Sequence, residues 1–182
     1  KLYFFAAVNY VLRLFEYKGD YTFSNSSGDN SWTNPENWNS KVLPASTDVS
    51  TIPAGSSPKI IGNAYARDLT ISSPMNVESG TLNISGNLNL GAKITLNGNN
   101  LNLKGPSSQI TNGNSSNYIV TNGTGTVNVE NLNAERGTVN LPIGTATNYN
   151  PVSIANSGTS DTFSARVSEG ISRSEERRVG KE

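Results

Sequence analysis

The residue types that carry most enzymatic chemistry are missing from this chain or far apart in it. It has no His and no Cys. That removes Ser-His and Cys-His nucleophilic systems, disulfide frameworks and the usual His/Cys zinc sites. Carboxylates remain as acid–base candidates, yet no Asp or Glu falls between Ser79 and Val129. A glycosidase pair or an acidic calcium cluster would have to be recruited from the flanks. The candidates there are Asp68, Glu78, Glu130 and Glu135, with Arg67 and Arg136 as partners. Arg67-Asp68 and Glu135-Arg136 read more simply as surface pairs or corner residues. The Gly-Gly-x-Gly-x-Asp text of calcium β-rolls and the phosphate-cradling G-x-x-x-x-G-K-[ST] are both absent. No catalytic, cofactor-binding or metal-ligating residue is therefore expected, and no enzymatic activity. Trp32 and Trp38, the two tryptophans, flank Thr-Asn-Pro-Glu-Asn. Because an indole buries a large area, both are expected to cover the open end of a core. The competing use is as a stacking platform for a sugar ring, but no polar companions that would orient a sugar stand beside them.

The elements that would position any site are set by one stretch, Thr81 to Lys104. It repeats an aliphatic–polar–aliphatic triplet: Leu82-Asn83-Ile84, Leu88-Asn89-Leu90, Ile94-Thr95-Leu96 and Leu101-Asn102-Leu103, at steps of six, six and seven residues. In a strand, successive side chains face opposite ways, so each triplet sends two aliphatics inward and one Asn or Thr outward. Gly80, Gly86, Gly91, Gly98 and Gly105 separate the triplets and permit sharp corners. The expected fold is all-β: a β-solenoid, with a right-handed parallel β-helix favoured. The 34% hydrophobic content lies below the usual range of about 45–50%, which suits a thin core. Stacked strands would bring Asn over Asn, so the Asn needs no binding role. The six-residue step also suits the left-handed β-helix of hexapeptide acyltransferases, but those enzymes are known for a catalytic His.

Around this ladder the 182-residue chain divides into five parts. Residues 1–18 are an uncertain leader or truncated start. Phe4, Val8, Val11, Leu12 and Phe15 share one helical face, and Leu2–Val8 also fits the remnant of a signal-peptide apolar region. The run is too short and broken to cross a membrane. Residues 19–57 form a Trp/Pro-rich cap segment, and residues 58–141 the ladder, which lapses into a loop or looser corner between Pro106 and Asn117. Residues 142–171 read as the first hairpin of a truncated β-sandwich. In it Val152-Ser153-Ile154 and Phe163–Val167 flank the turn Asn156-Ser157-Gly158. Residues 172–182 read as a disordered, non-native end, since RSEERRVGKE (Arg173–Glu182) resembles a translated sequencing-adapter tail. The net charge of zero offers no electrostatic footprint for nucleic acid.

The pattern Asp29-x-x-Trp32-x-x-Pro35-x-x-Trp38, followed by Pro44, Asp48-Val49 and Ile52-Pro53-x-Gly55, resembles the opening of modules in large bacterial surface proteins. Those proteins are exported by the type IX secretion system. In that group a W-x-N-P-x-N-W opening leads into an Asn/Thr-rich β-helical ladder, which the text from Leu69-Thr70-Ile71 onward is similar to. The resemblance implies a non-catalytic structural or adhesive module of a secreted protein, extracellular or on the cell surface, acting as spacer or display scaffold. The alternative is a non-catalytic flanking or glycan-binding module of a carbohydrate-active enzyme. The expected partners are a polysaccharide or cell-surface glycan and the rest of a larger polypeptide.

Overall fold

The computed structural model describes the backbone of residues 3–8 and 11–16 and all of residues 19–169. The expected adapter-like tail lies outside the described residues. The fold is all-β with parallel sheets. Near the start, β1 (Tyr3–Val8) and β2 (Val11–Glu16) pair antiparallel, with Val8 opposite Val11. The helical face expected there therefore does not form. Aromatic and β-branched residues crowd both segments, and these favour strands.

Three five-stranded sheets make up the body. The first holds β3 (Asp20–Thr22), β4 (Val49–Ile52), β7 (Asp68–Ile71), β10 (Leu88–Leu90) and β13 (Ile110–Thr111). In the second are β5 (Lys59–Ile61), β8 (Met75–Ser79), β11 (Ile94–Thr95), β14 (Ile119–Val120) and β17 (Ile143–Gly144). The third contains β6 (Ala64–Ala66), β9 (Thr81–Ile84), β12 (Asn100–Leu103), β15 (Val127–Leu132) and β19 (Asp161–Ala165). From β4 to β12 each strand pairs in parallel with the strand three places later. Each step of six or seven residues in the triplet text thus carries the chain to the next sheet. Three steps return it to the same sheet nineteen residues on, Asn83 to Asn102. The following circuit takes 26 residues, Asn102 to Asn128. Ile110-Thr111 is a strand of the first sheet rather than loop, and the extra length after it is held by Asn114, whose side-chain oxygen accepts from the N–H groups of Ser116 and Asn117.

Parallel register stacks the aliphatics in columns. Met75, Ile94, Ile119 and Ile143 align in the second sheet. Leu82 stands over Leu101 and Val127 in the third, beside Ile84, Leu103 and Val129. All ten side chains are buried in one core. Corners between sheets demand close backbone approach. Gly80 has φ +78°, and a Cβ there would meet the backbone carbonyl of Gly62.

The two strands on either side of the Asn156-Ser157-Gly158 turn do not pair with each other, so the expected sandwich hairpin is corrected. β18 (Val152–Ile154) runs antiparallel to β16 (Val139–Leu141), and β19 runs antiparallel to β15. β19 thereby covers the open edge of β15 in the third sheet, while β16 and β18 form a two-stranded sheet of their own.

Candidate functional site

The tryptophan segment is built as a knot. A 3-10 turn, Pro35–Asn37, is capped by Asn34, whose Oδ1 accepts from the Glu36 N–H at 3.1 Å. Asn37 is fully buried. Its Nδ2 donates to Asp29 Oδ1 at 2.5 Å and to the Ser31 carbonyl at 2.9 Å, and its Oδ1 accepts from the Ser27 N–H and hydroxyl. Asp29 also accepts from the Ser31 N–H and from Asn34. The Ser31 N–H, then Asn34 and Asn37, hold its carboxyl well below the ordinary 3.8.

The indoles lie on the core side of this knot. Trp38 stands edge-on to Trp32 at 4.6 Å and to Phe23 at 5.4 Å between ring centres, and its Nε1 donates to the Trp32 carbonyl at 2.8 Å. Trp38 is 0% exposed and Trp32 1%. Neither ring offers a face to a sugar, so the stacking-platform alternative fails at these residues and the covering role stands.

The carboxylate candidates are dispersed over three sheets. At a corner of the first sheet, Asp68 pairs with Arg67 at 2.8 Å and accepts the Asn87 N–H at 2.7 Å. Burial raises its pKa, but these two contacts outweigh that and leave it lowered. Asn87 repeats the motif one level on by accepting from the Gln109 N–H, so Asp68 serves a corner stack. In the second sheet, Glu78 is exposed on β8. On the third, Glu130 pairs with Lys104 at 2.9 Å. Arg136 donates to the backbone carbonyls of Glu130 and Ser108, and beside it Glu135 lines a shallow surface depression. Among the described residues, no three of His, Cys, Asp and Glu gather to hold a metal ion.

Two features of the outer surface remain. Along the third sheet Asn102 Nδ2 donates to Asn83 Oδ1 at 2.9 Å, and Asn128 Nδ2 donates to Asn102 Oδ1 at 2.8 Å. This is the Asn-over-Asn stacking that the triplets imply. The second feature had no sequence signal. An open trough of about 370 Å³ lies between the end of β13 and β18, lined by Asn112, Asn140, Tyr149, Pro151 and Ser153 among others. Tyr149 is backed by Tyr118 at 5.4 Å, and Tyr118 donates its hydroxyl to the Thr145 carbonyl under the Lys93 ammonium. Residues 140 and 149 are brought to one trough by the Gly144–Tyr149 antiparallel bridge and by the pairing of Asn140 with Ser153. Asn140 is the middle of the triplet Val139-Asn140-Leu141, whereas Tyr149 belongs to none. Comparison with family models, curated proteins and solved structures finds no match.

Proposed function

We propose that this chain is a non-catalytic scaffold, a spacer or display segment of a secreted bacterial cell-surface protein. Its three sheets wind as a β-solenoid, with the right-handed parallel β-helix favoured. The observation that carries the reading is the rotation of successive strands through three parallel sheets, with Asn83, Asn102 and Asn128 bonded along the stack. Such an architecture gains stability by adding neighbours rather than by enclosing a site. The dispersal of every carboxylate candidate into a corner, a surface pair or an exposed strand position supports a structural role. Secretion and surface placement are supported by the resemblance of the Asp29–Trp38 opening alone.

The test uses antibodies raised against the whole chain and applied to the bacterium that makes it. Labelling of intact cells, removed by protease added outside, is the expected result. Labelling only after the cells are broken open would overturn the reading.

A further inference from the structure

We infer that the trough beside β18 is a binding subsite for a neutral glycan. Five residues carry the argument. Tyr149 lines the trough with a ring already packed on Tyr118, so the ring is held in place before any ligand arrives. A pyranose presents a flat patch of C–H groups to such a ring, which suits an amphipathic aromatic with one side buried and one side open. Around it stand a donor and two groups able to accept. Asn140 receives the Ser153 hydroxyl on its Oδ1 at 2.6 Å, which points its Nδ2 away from Ser153 as a free donor. Asn112 spends its Nδ2 on Asn89 Oδ1 at 2.6 Å, leaving its own Oδ1 as a free acceptor. The Tyr149 hydroxyl has no protein partner among the described residues and can both give and accept. Pro151 supplies a rigid apolar wall.

The chemistry of this lining selects the ligand class. It contains no Asp, Glu, Lys or Arg, so it offers nothing to balance the charge of a phosphate, a sulfate or a uronic acid. Its amide and hydroxyl groups match alternating donors and acceptors on vicinal hydroxyls. The trough is open rather than enclosed, so a chain can lie across it and continue on both sides. Open polar sites of this kind bind weakly per unit, and useful affinity arises from many copies along a surface. This inference goes beyond the scaffold reading and fails separately from it. A bare scaffold would still be a scaffold.

The experiment titrates the full chain with cellohexaose, maltohexaose and mannohexaose, with oligogalacturonate as the charged comparison. Amide chemical shifts of residues 110–113 and 139–153 are followed by NMR. Saturable shifts confined to these residues with at least one neutral hexaose, and none with oligogalacturonate, are expected. Asn140→Asp keeps an acceptor for Ser153 at nearly unchanged side-chain volume, but replaces the free donor with a second acceptor oxygen and adds one negative charge. It should weaken binding by at least about fivefold, the value of one hydrogen bond. Tyr149→Ala should abolish the shifts, with the unperturbed spectrum of residues 82–103 showing that the ladder remains folded. The inference is overturned by the absence of saturable shifts with all three neutral probes. It is equally overturned by shifts that Asn140→Asp leaves unchanged, or by equal response to oligogalacturonate.

Discussion

Replacing Asn102 by Ala removes the middle rung of the amide stack on the third sheet. Two hydrogen bonds disappear, the one it donates to Asn83 and the one it accepts from Asn128. Each is worth about 1 kcal/mol net. The loss is not softened equally at both ends. Asn83 is only 5% exposed, and its Oδ1 would lose its donor where water reaches it poorly. Its Nδ2 is already spent on the Ala64 carbonyl and Thr81 Oγ1, so the side chain cannot turn to compensate. Asn and Ala are both poor strand formers, so propensity nearly cancels. The expected cost is about 2–3 kcal/mol, a fall in Tm of about 4–12 °C for a chain of this size. The assay is urea and thermal unfolding followed by circular dichroism near 218 nm (about the β-sheet minimum). Asn76→Ala is the matched control, since Asn76 is exposed on β8 and makes no side-chain hydrogen bond among the described residues. An Asn102→Ala effect as small as that of Asn76→Ala would show that the stacked amides contribute nothing. A double-mutant cycle with Asn83→Ala should show coupling of about 0.5–1.5 kcal/mol, because the two side chains share one bond.

Three further outcomes are expected. Gly80→Ala combines positive φ with a contact against the Gly62 carbonyl, whereas Gly137, at φ +68°, has open space around it. Gly137→Ala should cost about 1–2 kcal/mol from backbone strain, and Gly80→Ala beyond about 3 kcal/mol; equal costs measured by urea unfolding would remove the close-approach argument. The Asp29 carboxyl has a lowered folded pKa, so its contribution is complete above the ordinary 3.8 and drains away as pH falls toward the folded value. The stability gap between the native chain and Asp29→Asn should accordingly narrow as unfolding is repeated from about pH 5 down to pH 2, and a gap that widens in acid refutes the assignment. Ser50, fully buried on β4, has a hydroxyl without a partner among the described residues, so Ser50→Ala should raise stability by about 1 kcal/mol; a lower Tm would mean the hydroxyl is satisfied in solution.

The ladder was legible because period-two alternation and glycine punctuation are local signals. Leu82-Asn83-Ile84 and Leu101-Asn102-Leu103 announce their inner and outer faces without help from the rest of the chain, and the Asn-over-Asn contact follows once the strands stack in parallel. Pairing partners are a different matter. Val152–Ile154 and Phe163–Val167 read as a hairpin because a turn lies between them and both alternate. What decides their partners is the free edge of β15 in the assembled third sheet and the availability of β16, and neither is visible locally in the text. The same limit explains residues 3–16. Phe4, Val8, Val11 and Phe15 have spacing that suits a helical face, yet the residue types suit strands, and spacing alone does not say which preference prevails.

The candidate site was legible only where it is structural. Asp29, Trp32, Asn34, Pro35, Asn37 and Trp38 form a recognisable text because each has one geometric task within ten residues: cap, buried amide, anchor or indole. A local knot leaves a local motif. The Tyr149 trough is assembled from Asn112, just past β13, and from Asn140 and Ser153, which face each other on β16 and β18. Asn140 and Ser153 are the polar members of the triplets Val139-Asn140-Leu141 and Val152-Ser153-Ile154, so their text looks like that of every other rung. A ladder of stacked strands therefore divides its information unevenly. The parts that hold it together recur and can be read, while the proposed binding trough is written once, in residues that look like their neighbours until the register places them side by side.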